Sequence, residues 1–165
     1  MNEFKKSIIS YVFVVLLGIL LHYTYEWSEK NYIVGLFSAT NESTWEHLKL
    51  AFFPMLLLTV WDVFHTYTND DNFLPARTIG ILAAMAFIVI AFYTFTGVVG
   101  KNVDFVNIII YLLGIAFGFL VEKHVYGKTK YLNTTGSIII LFVIALLFFI
   151  WTYSAPNAGI FKERL

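Results

Sequence analysis

Five long apolar runs, separated by short polar stretches, constrain this chain more than any other feature. They fall at about residues 8–25, 45–67, 78–99, 104–121 and 136–153. Each is close to the roughly 20 apolar residues that a helix needs to cross the hydrocarbon core of a bilayer. Only 13% of the residues are charged, about half the share found in soluble domains. So few charges cannot cover a water-facing surface. Lipid removes that need, and it forces every backbone N–H and C=O to be satisfied within the protein, as a helix does. The pattern therefore predicts an all-α, polytopic membrane helix bundle with five transmembrane helices. A single domain fills residues 1–165, and membrane lipid is its main neighbour. The first run follows Lys5 and Lys6 and continues into His22 and Trp27 without a small-residue cleavage site. It reads as a retained span rather than a signal peptide.

Other function classes fall away on composition. The formal net charge is zero, which argues against a nucleic-acid partner, since that needs a basic face. There is no cysteine, so disulfides, thiolate metal sites and a cysteine nucleophile are excluded. Tyr and Trp gather near the ends of the runs, as an interfacial belt expects. Lys5, Lys6, Arg77, Lys123, Lys128 and Lys130 face Lys30, Lys49, Lys101, Lys162 and Arg164 across the bundle. That small excess predicts a cytoplasmic N-terminus and an outside C-terminus in a cytoplasmic membrane.

The first loop is unusual. Residues 31–40 are apolar but too short to span, which suggests a re-entrant or interfacial segment. Ser43 and Glu46 fit a capping box at the start of the second span. Pro54 lies inside that span and predicts a kink. Gly114 and Gly118 form a small-residue face. It serves either packing within the chain or a homodimer.

Ionisable residues at membrane depth are costly, so each is a functional candidate. His22 and Glu26 share one face at the end of the first span. Asn41, Glu42, Glu46 and His47 begin the second, and a short loop should bring the two helix ends together. Imidazoles and carboxylates together suit a divalent metal such as zinc. His22, Glu26 and His47 are the candidate ligands. Glu46, His47 and Glu42 are candidates for general acid–base work or for hydrolysis with metal-activated water. Near the other membrane face, Asp62 and His65 lie three apart on one helix. His65 is the expected partner of Asp62, with Arg77 also within reach, and the group is either a structural lock or a station on a proton path.

The string Asn41-Glu42-Ser43-Thr44-Trp45-Glu46-His47-Leu48-Lys49, with the stretches 21–28 and 33–38, resembles a family of small multi-span membrane proteins of Gram-positive bacteria. That family carries an Asn-Glu-Ser-x-Trp-Glu-His-x-Lys motif and no assigned activity. The resemblance implies a bacterial membrane and a multi-span bundle. It also implies that Asn41, Ser43, Trp45 and Lys49 act with Glu42, Glu46 and His47 as a unit, here a binding shell. The leading expectation is an outward-facing polar site for a divalent metal or a polar lipid head group, with hydrolysis as its chemistry. The alternatives are a proton-coupled transporter or ion pathway, acting as a homodimer, and a non-catalytic accessory subunit.

Overall fold

A computed structural model of the protein describes residues 3–67, 70–128 and 132–163, with side chains from residue 7 onward. The elements are α1 (Glu3–Trp27), α2 (Tyr32–Phe37), α3 (Thr44–His65), α4 (Phe73–Val99), α5 (Asp104–Val125) and α6 (Thr134–Tyr153), closed by a 3-10 turn at Gly159–Phe161. No strand occurs among the described residues; a lone bridge joins Ser43 to Glu163. Five of the helices are long and apolar enough to cross a membrane. The sixth, α2, is the short apolar segment of the first loop.

The helices run beyond the apolar runs at several ends. α1 begins at Glu3, α4 at Phe73, and α5 continues to Val125. Helical hydrogen bonding does not stop where hydropathy falls, so the charged flanks of a span remain helical. The second run stops short instead: α3 ends at His65 rather than at Tyr67.

Local signals explain the boundaries. Asn31 caps α2 by accepting from the N–H groups of Ile33 and Val34. Asn133 caps α6 by accepting from Gly136 N at 2.7 Å. Gly100 ends α4 at φ +74°, a left-handed conformation that glycine adopts without a side-chain clash. Ser43 Oγ caps α3 by accepting from Glu46 N at 3.3 Å. The reciprocal half of the box is absent, because Asn41 Oδ1 takes the Ser43 N–H at 3.0 Å and frees the Glu46 carboxylate.

Short connections make neighbouring spans antiparallel. One end of the bundle gathers the C-termini of α1, α4 and α6 with the N-termini of α3 and α5. α3 is the central helix: more than half of it is buried inside the bundle, against less than a third of each other span. The outer faces carry exposed Phe64, Val98, Phe105 and Phe142. Lipid is the solvent that suits such a surface.

Two close crossings hold the centre. A Cβ at Gly18 of α1 would lie 2.4 Å from the Leu50 carbonyl of α3 and would strike the Tyr111 hydroxyl. That hydroxyl sits 3.2 Å from both the Val14 and Leu50 carbonyls, so it ties α5 to α1 and α3. The small face of α5 packs on α4 of the same chain: a Cβ at Gly118 would lie 2.7 Å from the Gly80 carbonyl and 2.8 Å from the Ala84 Cβ. Gly114 is likewise filled by Ile88. This face is therefore occupied within the chain. Gly118→Ala is expected to push α4 and α5 apart at a cost of roughly 1–3 kcal/mol, the usual range for overpacking. A lowered thermal midpoint in detergent would register it.

Candidate functional site

The loop between α1 and α3 folds back on both helices. Thr24 and Ser38 hydroxyls meet at 2.5 Å, which fastens the end of α1 to the end of α2. The chain then turns through Asn41 and enters α3 at Ser43. Two polar assemblies result, side by side on the first turn of α3 but facing different helices.

The first is the group His22, Glu42 and His47, whose ligand-type atoms all lie within 4.8 Å of one another. His47 Nε2 is 3.3 Å from Glu42 Oε2. The other ring nitrogen, Nδ1, is 2.9 Å from the Ser43 carbonyl. A carbonyl only accepts, so Nδ1 carries a proton; Nε2 faces the Glu42 carboxylate, donating to it when protonated and offering its lone pair to a cation when not. The His22 ring lies beside it, with centroids 5.2 Å apart. His22 Nδ1 is buried and has no hydrogen-bond partner. Buried polar nitrogens are rarely left so. Glu42 is exposed, and its hydrogen bond with His47 holds its carboxyl below the usual glutamate range. It is thus a carboxylate across the neutral range and supplies a negative oxygen.

The second assembly is deeper. Lys49 is fully enclosed, its side chain 0% exposed, and pairs at 2.6 Å with Glu46 Oε2, whose side chain is 2% exposed. Lys49 Nζ also donates to the Gly35 carbonyl at 2.7 Å and to Thr152 Oγ1 at 3.0 Å. Glu46 Oε2 accepts from Thr40 N at 2.9 Å and Thr40 Oγ1 at 2.8 Å. All three ammonium donors are used, and the carboxylate is well supplied. The pair binds α2, α3 and α6 together. Gly35 permits it: a Cβ there would collide with the Tyr153 hydroxyl and with Tyr25 and Thr40.

The sequence-predicted residues therefore divide. His22, Glu42 and His47 come together. Glu46 and Lys49 meet each other instead, outside that group. Glu26 lies on the exposed side of α1 and pairs with Lys30 at 3.7 Å. Asn41 caps the turn, and Trp45 packs among Phe148, Trp151 and Phe161. Sequence reasoning missed Thr40 and Thr152, since a lone threonine at a helix end carries no special signal.

At the opposite end, Asp62 pairs with Arg77 at 3.0 Å rather than with His65. His65 is exposed, stacks on Trp61, and donates Nδ1–H to the Trp61 carbonyl. The pairing fails because three residues along a helix place His65 on the outer edge, while α4 delivers a permanent cation to Asp62. Arg77 Nε also donates to Glu122 Oε2 at 2.7 Å.

Fold and site together define a small polytopic helical bundle, of membrane-crossing dimensions, with a histidine–carboxylate cluster at one end. The model of the "family of unknown function (DUF6512)" matches residues 1–165, and the chain belongs to that family. No curated protein and no solved structure matches it.

Proposed function

We propose that the protein binds a divalent cation, zinc above all, through His22, Glu42 and His47 at the outer face of a bacterial cytoplasmic membrane. The observation that carries this reading is the unpartnered, buried His22 Nδ1 next to an oriented His47–Glu42 pair. The 3.3 Å between His47 Nε2 and Glu42 Oε2 is close to the edge of a tetrahedron with metal–ligand bonds of roughly 2.0 Å. The Ser43 carbonyl plays the outer-shell part, fixing tautomer and ring angle as such partners do for metal-bound histidines.

Two histidines and one glutamate leave a fourth position for water or substrate, the arrangement of hydrolytic zinc sites rather than closed structural ones. A cation bound there would supply activated water and a Lewis acid beside the lipid head groups. This chain's own residues hold and orient the cation. Polar lipid head groups are then the substrate class within reach, with hydrolysis as the reaction. Glu46 and Lys49 serve as the frame that keeps the α2 loop and α3 in place.

Elemental analysis of protein purified from cells grown without chelator tests this. About one zinc per chain in the wild type, and little in His47→Ala of equal thermal stability, is the expected result. Equal metal in both proteins would sink it.

A further inference from the structure

The second ionic cluster, at the other end of the bundle, is not used by the metal reading. We propose that Asp62, Arg77 and Glu122 form a single-proton site: Glu122 carries a proton at neutral pH and exchanges it with water at the end of the bundle opposite His22 and His47.

Arg77 Nη2 donates to Asp62 Oδ2 at 3.0 Å and Nε to Glu122 Oε2 at 2.7 Å. One guanidinium thus faces two carboxylates. With both ionised, the cluster holds one negative charge too many. A charge taken out of water without a partner is heavily penalised, and protonation is the usual escape. Two carboxylates sharing one site behave the same way, since the first to ionise opposes the second.

Among the residues whose side chains are described, no other cation meets the cluster; Lys128, in the turn after α5, is exposed. On α3, His65 is exposed and turned onto Trp61. On α5, Lys123 and His124 are exposed. α6 has no ionisable side chain before Tyr153, at its far end. Asp71 is exposed. Asp70 and Tyr126 pair with each other through the tyrosine hydroxyl, which pushes that hydroxyl up to about 12 and Asp70 down. Lys5 and Lys6 begin α1 at this end, and their side chains are outside the described set. The guanidinium itself is walled by Phe73 and Phe119, its carbon 4.9 and 5.5 Å from their ring centres.

Glu122 is the carboxyl that gains the proton. Its side chain is 13% exposed, against 5% for Asp62. It therefore has the route to water. Asp62 sits on the Nη edge of Arg77, where Thr59 Oγ1 lies 3.5 Å from Nη1 and helps to hold the guanidinium toward Asp62. The proton comes from water, makes one O–H bond on Glu122, and returns to water on release. Gly80 makes the approach possible: a Cβ there would lie 2.9 Å from the Glu122 Cβ.

Infrared spectroscopy of the purified full-length protein at neutral pH tests the proposal. The expected spectrum contains a protonated-carboxyl stretch that shifts when glutamate carboxyls carry heavy carbon, and disappears on raising the pH. It should be lost in Glu122→Gln, and lost at neutral pH in Asp62→Asn as well, because without the Asp62 charge Arg77 balances an ionised Glu122. Isotope labelling needs no mutation, so a misfolded variant does not weaken the test. Absence of the band at neutral pH, or a band that ignores glutamate labelling, overturns it.

Discussion

Lys49→Met is expected to destabilise the protein by about 3–5 kcal/mol, the cost of removing one partner from a buried ion pair. The physical cause is the stranded charge. Glu46 would remain 2% exposed with only Thr40 and the distant Thr152 hydroxyl to solvate its carboxylate. The lost Lys49 bonds would also free Gly35 and loosen α2 from α6. Neutralising Glu46 in the same background should recover much of the loss, because glutamine still accepts from Thr40 but leaves no buried charge. Thermal melts of Lys49→Met and of Lys49→Met with Glu46→Gln distinguish the two causes. If the double variant is no better than the single, packing around Lys49 dominates and the charge argument fails.

The second large effect concerns affinity. Removing a first ligand should cost at least the roughly 10–100-fold in metal affinity that losing an outer-shell partner costs. His47→Ala and His22→Ala are therefore expected to weaken zinc binding by about 100-fold or more. Glu26→Gln should leave it unchanged, because Glu26 is exposed and pairs with Lys30. Competition titration against a chromogenic chelator measures all three. Equal losses for Glu26→Gln and His47→Ala would indicate a diffuse electrostatic effect rather than ligation.

The fold was largely legible because it rests on hydropathy, which is a local property of the chain. The second span was also legible as the special one: it alone carries a cap, Pro54, two histidines and an aspartate. The site was legible only in part. His22 and His47 could be brought together by reasoning that a short loop joins two helix ends. Which carboxylate joined them could not. Glu26 follows His22 by one turn and looked the better ligand, but that turn carries it past the bundle to the outside. Glu42 lies in the loop, where side-chain direction depends on the Asn41 and Ser43 turn rather than on any period.

The roles of Glu46 and Lys49 were hidden for a different reason. Three residues apart, they resemble an ordinary surface pair. Only the arrival of Gly35 and Thr152, 14 and 103 residues away from Lys49, makes the pair a buried joint. Arg77 was a readable partner for Asp62, but its second carboxylate, Glu122, lies 45 residues away. The glycines of α5 announced a close helix crossing, but not that α4 was the helix crossed. Contacts of this kind are set by tertiary packing, and one sequence carries no periodic trace of them.

The central claim is that His22, Glu42 and His47 act together as one cation site. Visible absorption of the protein loaded with cobalt in place of zinc tests it most directly, since ligand-field bands intensify when the ion leaves octahedral water for a low-coordinate nitrogen and oxygen site. The wild type should give intense bands at one cobalt per chain, and His22→Ala and His47→Ala should each abolish them while the helical bundle persists. A wild-type spectrum matching that of the hydrated ion would contradict the account.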